Sequence, residues 1–294
     1  MLARQRQTLI LERVREDGGV RVADLARDLG VSDMTVRRDL ELLHNRGLIE
    51  KVHGGATALP GGALFEPGFA AKSSLQQPEK EAIADAAVRL IVPGSAIGIS
   101  AGTTTYALAR RLVDIPGLTV VTNSVPVADV LHRAARSDQT IILTGGVRTP
   151  SDALVGPFAV AALRTIHLDV VFMGVHGMDP RSGFTTPNLL EADTDRALVA
   201  SGRRLVVVAD ASKWGIIGIS AIARLDEADT LVTDSGLTEE ARELAAQQVR
   251  ELVVAPLDQE DPDPAGGEVG EGADLGWPNS GSKSAAEPVA GASR

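Results

Sequence analysis

The chain has 294 residues, 44 % of them hydrophobic, a formal net charge of −10 and no cysteine. This length allows one small and one medium-sized domain with a substantial core. The lack of cysteine excludes disulfides, thiolate metal sites and cysteine nucleophiles, and we expect no cofactor and no metal. No apolar run reaches the ~18 residues of a membrane span, and charges interrupt the N-terminal segment, which argues against a secretory signal. We therefore expect a cytoplasmic protein.

Changes in composition predict four segments along the chain. Residues 1–57 read as short helices followed by a hairpin, and residues 58–76 are rich in Gly, Pro and Ser without periodicity, as in a linker. Residues 77–256 alternate apolar runs with helical stretches. Residues 257–294 are poor in hydrophobic residues and dense in Gly, Pro and acids, which predicts a disordered tail.

The first segment predicts three helices, at about residues 6–16, at Val22–Leu29 and after Ser32. Gly18–Gly19 would close the first helix and Gly30 the second. Ser32 is a good N-cap for the third helix. There, buried positions recur at four- and three-residue spacing, at Val36, Leu40 and Leu43.

Residues 48–59 predict a two-stranded wing that turns at Gly54–Gly55. Exposed Arg and Thr side chains near the start of a helix that follows a tight turn are typical of major-groove recognition. The DNA-binding candidates on the third helix and the wing are Ser32, Met34, Thr35, Arg37, Arg38, Asn45, Lys51 and His53.

The charge of the head is nearly balanced, with ten basic and nine acidic residues in residues 1–57, so the remainder carries −11. Non-specific attraction to phosphates is then weak. We therefore expect binding to require a specific site or a dimer. The alternative is a small helical domain that makes protein contacts and carries ordinary solvated arginines.

The third segment predicts a mostly parallel, doubly wound sheet, hence an α/β fold. Its strand candidates are short β-branched runs without alternation, as expected for strands covered on both faces. They are Ala96–Ser100, Leu118–Asn123, Gln139–Thr144, Leu168–Val175, Arg204–Asp210, Ala228–Thr233 and Glu251–Ala255. Helical stretches between most of them give repeated strand–helix–strand units. Ligands of such sheets bind beyond the carboxyl ends of the strands.

Polar or glycine-rich turns follow several of these strands. Ala101–Thr105 opens a helix with a glycine turn, an arrangement that suits a phosphate or carboxylate, although it is equally common as a plain cap. Further polar or glycine-rich turns are predicted at strand ends on the same rim of the sheet: Thr122–Ser124, Thr144–Gly146, Gly174–Gly177, Gly183–Thr186 and Asp210–Lys213. Together the turns predict a pocket for a polyhydroxylated anion. Lys213 is the first candidate for its counter-charge and Lys80 the second, and a surface lysine is the alternative for Lys213.

Two sets of motifs resemble the DeoR family of bacterial repressors. In the head they are VSxxTVRRDL, the following LxxxGxI and HGGA, within Ala23–Ala56. In the body they are SAGTTT, VVTNSVPVADVL, LTGG, GFTTPNLLEAD and VVVADASKWG. The resemblance covers roughly Arg4 to Leu237. It implies a winged helix-turn-helix followed by a sensor domain that is similar in fold to ribose-5-phosphate isomerase and binds phosphorylated sugars.

The resemblance also implies roles for individual residues. Thr35, Arg37 and Arg38 belong to the recognition helix, with both arginines on phosphates or a guanine edge. The effector-pocket candidates that it implies are Gly102, Thr103, Thr104, Thr105, Asn123, Gly145, Gly146, Gly177, Thr185, Thr186, Glu191 and Lys213.

The chain departs from the family pattern at two positions. Asp195 stands where the family usually has lysine, and His176 stands where an acid commonly precedes the glycine. A pocket His176 would hydrogen-bond a sugar hydroxyl or add charge below about pH 6.5, and the alternative is an ordinary turn residue. These differences bear on which ligand is bound.

The sequence is compatible with three functions. The first is a repressor of a carbohydrate-metabolism operon, a dimer or tetramer whose affinity for a double-stranded DNA operator changes with a phosphorylated sugar, typically by ~1–3 kcal/mol. The second is a sugar-phosphate isomerase with an accessory head, using Glu191, Asp210 and Lys213. The third is an interaction module in which head and tail both bind proteins.

Overall fold

The computed structural model describes residues 2–17, 19–46, 48–52, 54–57, 68–73 and 75–257. The prediction of a phosphate-contacting His53, most of the predicted linker and all of the predicted tail except Leu257 lie outside these residues.

The head contains three helices and a small antiparallel sheet. Its elements are α1 (Ala3–Asp17), β1 (Gly19–Arg21), α2 (Val22–Leu29), α3 (Asp33–Asn45), β2 (Glu50–Val52) and β3 (Gly55–Thr57). The Ser32 hydroxyl accepts a hydrogen bond from the backbone N–H of Thr35 at 3.2 Å, which confirms the predicted N-cap of α3. Val36, Leu40 and Leu43 are buried, as their spacing predicts.

The wing has three strands, in the order β1-β3-β2, where the sequence predicted two. Gly19, expected to close the first helix, begins a strand that pairs with β3. Gly55 makes this pairing possible, because a Cβ at that position would overlap the carbonyl oxygen of Val20. A three-residue strand is too short to produce a periodic signal.

Residues 68–73 and 75–76, which we call the connector, lie in the predicted linker but are partly helical, with α4 at Phe69–Ser73. The backbone N–H of Phe69 donates to the carbonyl of Pro150 at 3.2 Å. The Phe69 ring meets the ring of Tyr106 edge-on, with centroids 5.5 Å apart. These tertiary contacts, not helix propensity, hold so short a helix in place.

The body alternates strands and helices. The remaining helices are α5 (Gln77–Ala87), α6 (Thr103–Leu112), α7 (Val125–Ala134), α8 (Pro157–Leu163), α9 (Leu189–Ser201) and α10 (Glu239–Gln248). The remaining strands are β4 (Ala96–Ile99), β5 (Thr119–Thr122), β6 (Thr140–Leu143), β7 (Val147–Arg148), β8 (Leu154–Val155), β9 (Val170–Gly174), β10 (Gly177–Asp179), β11 (Gly183–Thr186), β12 (Leu205–Val208), β13 (Ser220–Ala223), β14 (Thr230–Asp234) and β15 (Leu252–Ala255).

Seven strands form one fully parallel sheet, in the order β15-β14-β12-β9-β4-β5-β6. All seven predicted strands are in it, and the α/β fold class is confirmed. Successive residues of β9 enter different cores: Val170 and Phe172 pack with α5, α6 and α7, whereas Val171 and Met173 pack with α8, α9 and α10. Burial on both faces explains why the strand sequences show no alternation.

The second half of the body also contains a small antiparallel sheet, β10-β11-β13. The segment Gly183–Thr186, predicted as a turn at the rim of the main sheet, is strand β11 of this sheet, which corrects that prediction. The Thr185 hydroxyl lies inside the sheet and accepts a hydrogen bond from the N–H of Gly218 at 2.8 Å.

The order in which the chain adds strands to the main sheet reverses between β4 and β9. The chain runs outwards through β4, β5 and β6, and then returns to place β9 on the other side of β4. The loops after two adjacent strands therefore leave for opposite faces of the sheet and open a crevice at their carboxyl ends, which is where doubly wound sheets bind ligands.

Candidate functional site

The predicted DNA-binding residues of the head lie mostly on the outer face of α3. Arg37, Arg38 and Asn45 are exposed there, and Met34 is 62 % exposed. Thr35 is partly buried, and Ser32 uses its hydroxyl in the cap. The Nζ atom of Lys51, on β2, is 3.8 Å from the nearest carboxylate oxygen of Glu41 on α3. The structure thus brings the described DNA-binding candidates to one side of the head.

Asp39 was not predicted as a functional residue and is the polar centre of the head. It is only 3 % exposed. Its carboxylate accepts from Arg6 Nε at 2.5 Å and from Gln7 Nε2 at 2.9 Å, both on α1. Asp39 therefore fixes α3 to α1 and holds the neighbouring arginines outward.

A small polar cavity of about 50 Å³ lies at the switch point of the main sheet. Its walls are formed by the loop after β4, the end of β9, the first half of α9, the turn at Lys213, strands β11 and β13, and the connector. The lining residues are Lys72, Ala101, Gly102, Thr103, Thr104, Gly174, Val175, His176, Thr186, Glu191, Asp195, Lys213 and Ile222.

The N-terminus of α6 points its backbone N–H groups into this region. Gly102 caps the helix with φ 153°, a conformation that glycine adopts without strain. The N–H groups of the first turn of a helix have no intrahelical acceptor and carry the positive end of the helix dipole. Asn123 Oδ1 accepts from the N–H of Ala101 at 2.9 Å and so holds the loop in place. This arrangement suits an anion.

Charged side chains of both signs line the cavity. Lys72 and Lys213 supply positive charge, and Glu191 and Asp195 supply negative charge. Glu191 Oε1 accepts from Thr149 Oγ1 at 2.7 Å and from Ser151 Oγ. An anionic group and several hydroxyls are the ligand features that lysines and carboxylates together recognise.

His176 is neutral at physiological pH. Burial, together with the positive charges of Lys213 and Lys72, lowers its pKa to about 4. The structure therefore contradicts the expectation that His176 becomes positively charged below about pH 6.5, because its pKa is about 4. A neutral imidazole is both a donor and an acceptor of hydrogen bonds.

The predicted effector residues divide into three groups. Seven of them line the cavity: Gly102, Thr103, Thr104, His176, Thr186, Glu191 and Lys213. Thr105, Asn123, Gly177 and Thr185 lie outside the lining and act as supports around it. Gly145 and Gly146 follow β6, which is two strands away from β4 and does not reach the cavity.

Lys80, the second predicted counter-charge, also lies outside the lining. Its Nζ donates to the carbonyl oxygens of Lys72 at 2.8 Å and Leu75 at 2.6 Å. Burial lowers its pKa to about 8. The Lys80 ammonium therefore binds the backbone of the connector and is not part of the cavity lining.

Sequence reasoning did not include Lys72 and Asp195 among the pocket residues. The sequence signal for Asp195 is its departure from the family pattern. Lys72 lies in a segment without periodicity, and only the tertiary structure brings it to the cavity.

A larger cavity, of about 740 Å³, lies between α8 and α9. Apolar side chains provide much of its lining, and Arg196 is engaged there with Asp193 and the carbonyl of Ala221. It does not lie at the end of β4 or β9. The smaller cavity is the better candidate because it joins a helix N-terminus, two lysines and two carboxylates at the switch point.

Within residues 2–257, excluding the gaps, no group of three or more His, Asp or Glu side chains is placed to hold a metal ion. In the same part of the chain no helix is both long and apolar enough to cross a membrane.

A winged helix-turn-helix joined to an α/β body with a polar cavity defines the class of helix-turn-helix transcriptional regulators. The DeoR-like helix-turn-helix domain matches residues 6–60, and the DeoR C-terminal sensor domain matches residues 75–235. The chain belongs to the DeoR family of DNA-binding transcriptional regulators.

Full-length relatives agree with this assignment. The chain is 38 % identical to the HTH-type transcriptional regulator YgbI of Escherichia coli, over 87 % of this chain and 99 % of the relative. It is 37 % identical to the HTH-type transcriptional regulator GlpR of Haloferax volcanii, over 83 % and 94 %. It is 31 % identical to the transcriptional repressor AccR of Agrobacterium fabrum, over 79 % and 89 %.

Among solved structures, the chain is similar to a D-ribose-5-phosphate isomerase in complex with phospho-erythronic acid. The identity is 16 %, over 46 % of this chain and 52 % of that chain, with a TM-score of 0.35. The family and the full-length relatives are transcriptional regulators and not enzymes, so the isomerase hypothesis is not retained.

Proposed function

We propose that this protein is a cytoplasmic repressor of a carbohydrate-metabolism operon, and that a phosphorylated sugar in the switch-point cavity changes its affinity for the operator. The observation that carries the effector assignment is the N-terminus of α6 facing Lys72 and Lys213 across one cavity. A phosphate on the helix N-terminus leaves Glu191, Asp195 and His176 to bind hydroxyls. The relative AccR, a transcriptional repressor, supports the direction of regulation.

The proposed DNA contact uses the outer face of α3. Arg37 and Arg38 bind phosphates or a guanine edge, Met34, Thr35 and Asn45 lie beside them, and Lys51 binds the backbone from the wing. Because the head is nearly neutral, most of the affinity has to come from specific contacts and from two heads acting together.

The test is fluorescence anisotropy of the full chain on its own upstream DNA, at two salt concentrations, with and without sugar phosphates. Arg38→Ala is expected to weaken specific binding by about 10- to 100-fold, the loss of one base or phosphate contact per head. Arg27→Ala removes another exposed arginine, on α2, that pairs with Asp24, and serves as the matched control with little expected effect. Equal losses in the two variants, or no specific binding by the wild-type protein, would contradict the proposal.

The proposal includes a homo-oligomer, a dimer or a tetramer, which places two heads on repeated half-sites. Large apolar side chains are exposed on the body, with Phe158 80 % exposed and others at Leu189, Leu190, Ile216, Ile217 and Ile219. A second copy is the occupant that a symmetric operator requires. Sedimentation velocity at micromolar concentration should show a dimer or tetramer, and a monomer alone would contradict this part of the proposal.

A further inference from the structure

The connector links the effector cavity to the core of the head within four residues. Lys72 lines the cavity. Leu75 packs against the apolar core of the head, which consists of buried residues of α1, α2, α3 and the wing. Just beyond, Gln77 Oε1 accepts from Arg4 Nη1 of α1 at 2.9 Å. A displacement of Lys72 can therefore be transmitted through these few residues to the contacts that Leu75 and Gln77 make with the head.

Lys80 holds both ends of that path. It is 5 % exposed, and its Nζ binds the carbonyl oxygen of the cavity residue, Lys72, and that of the head-packing residue, Leu75. A single buried group that bonds both carbonyls couples the position of Lys72 to that of Leu75, because breaking one bond leaves a buried polar group unsatisfied.

The size of the cavity requires that one wall moves when a ligand enters. Its volume of about 50 Å³ is far below the roughly 300–1,000 Å³ of ligand pockets. The walls formed by β4, β9, β11, β13, α6 and α9 belong to elements that pack in the two cores of the main sheet. The turn that carries Lys213 is held by Ala211 and Trp214, which pack against the second of these cores. The connector lies outside those cores and is the wall that can yield with the least loss of packing.

We infer that the connector is the moving wall of the effector cavity and that Lys80 is the positioning residue that transmits its movement to the head. A phosphorylated ligand displaces Lys72, Lys80 moves Leu75 together with it, and the contact between the connector and the head core changes. This inference rests on the proposed function, because it requires that the cavity binds an effector. It adds how the signal leaves the cavity.

The experiment measures two quantities on the full chain: the affinity for operator DNA with and without a probe, and the affinity for the probe by calorimetry. The probes are glucose 6-phosphate, fructose 1-phosphate, ribose 5-phosphate, glycerol 3-phosphate and inorganic phosphate. The probe with the largest effect on the wild-type protein is used for the variants. The wild-type ratio of the two DNA affinities is expected to lie at about 5- to 150-fold, the usual range of allosteric coupling.

Two variants interrupt the path outside the cavity and outside the recognition helix. Lys80→Met keeps the length of the side chain but removes both hydrogen bonds, and Leu75→Ala removes the contact with the head core. Both are expected to bind the probe within about threefold of wild type or more tightly, because binding and coupling are thermodynamically linked, and to lose the ratio almost entirely. Lys213→Met, in the cavity, is expected to bind the probe at least about tenfold more weakly.

The control for general destabilisation is Leu225→Ala, which truncates a buried leucine in the core on the α9 and α10 side of the sheet and should leave the ratio unchanged. A wild-type ratio in both Lys80→Met and Leu75→Ala would overturn the inference while leaving the proposed function intact. The Leu75→Ala result decides the question if Lys80→Met fails to fold. The wild-type protein could bind its DNA specifically with an affinity that none of the probes changes. That result would overturn both the effector assignment and the inference.

Discussion

Replacing Asp39 by alanine is expected to lower the stability of the head by about 3–5 kcal/mol and to abolish specific DNA binding. The variant leaves the Arg6 guanidinium, only 12 % exposed, without its carboxylate partner, and it leaves Gln7 without an acceptor. An uncompensated buried charge costs far more than the loss of an exposed ion pair. Because Asp39 fixes α3 to α1, its loss also releases the orientation of the recognition helix.

Hydrogen exchange followed by mass spectrometry can test this prediction on the full chain, since peptides of α1 and α3 report on the head alone. Their protection should fall by about two to four orders of magnitude in Asp39→Ala, corresponding to the expected 3–5 kcal/mol. The matched control is Asp24→Ala, which removes the exposed partner of Arg27 and should cost below about 1 kcal/mol. Similar protection in the two variants would show that Asp39 is not the centre of the head.

The buried position of Asp39 was readable from the sequence, whereas its role was not. It follows Val36 by three residues and precedes Leu40, so helical periodicity places it on the inner face of α3. A charged residue at such a position signals a buried partner. The identity of that partner depends on how α1 crosses α3, which periodicity within a single helix does not specify.

The same distinction applies to the body. The seven β-branched runs predicted the main sheet because burial on both faces leaves a local composition signal. β11 was predicted as a turn because GFTT is short and begins with glycine, and its strand pairing depends on the distant β10 and β13. Lys72 shows the limit most clearly: it has no motif and no periodicity, and its place in the cavity is set by contacts of Phe69 with Pro150 and Tyr106.

The predicted effector residues line the cavity where they follow the strands at the switch point, and they lie away from it where they follow β6, two strands beyond β4. Gly102–Thr104 and His176 follow β4 and β9, and both groups line the cavity. Gly145 and Gly146 follow an equally well predicted strand, β6, but the strand order separates it from β9 by two strands. A sequence lists the strands in chain order, and only the pairing pattern orders them in space.

Acidification is expected to destabilise the protein through His176, by about 2 kcal/mol between pH 7 and pH 4.5. Its pKa is lowered to about 4 by burial and by the charges of Lys213 and Lys72. Between this value and the ordinary value of about 6.5 the unfolded chain binds a proton that the folded chain does not. The stabilising contribution is therefore complete above about pH 6.5 and is lost as the pH falls toward the folded pKa of about 4.

Urea denaturation of wild type and His176→Gln across this pH range measures the contribution, because all other titrating groups are common to both proteins. The free energy of unfolding should fall less steeply with decreasing pH in the variant, by the ~2 kcal/mol assigned to the imidazole. Parallel curves would mean that His176 is not buried near the two lysines.

The same titration is expected to link effector binding to proton uptake. A phosphate at the N-terminus of α6 offsets the positive charges of Lys72 and Lys213, which lower the pKa of His176, and so raises that pKa. Wild type should therefore gain affinity for the active sugar phosphate between pH 6.5 and pH 5 relative to His176→Gln. The comparison cancels the titration of the phosphate itself, which both proteins experience. Calorimetry in buffers of different ionisation enthalpy would detect the proton directly. Uptake by wild type but not by the variant would place the anionic group of the effector at the two lysines that act on His176, whereas equal uptake would place it out of their electrostatic reach.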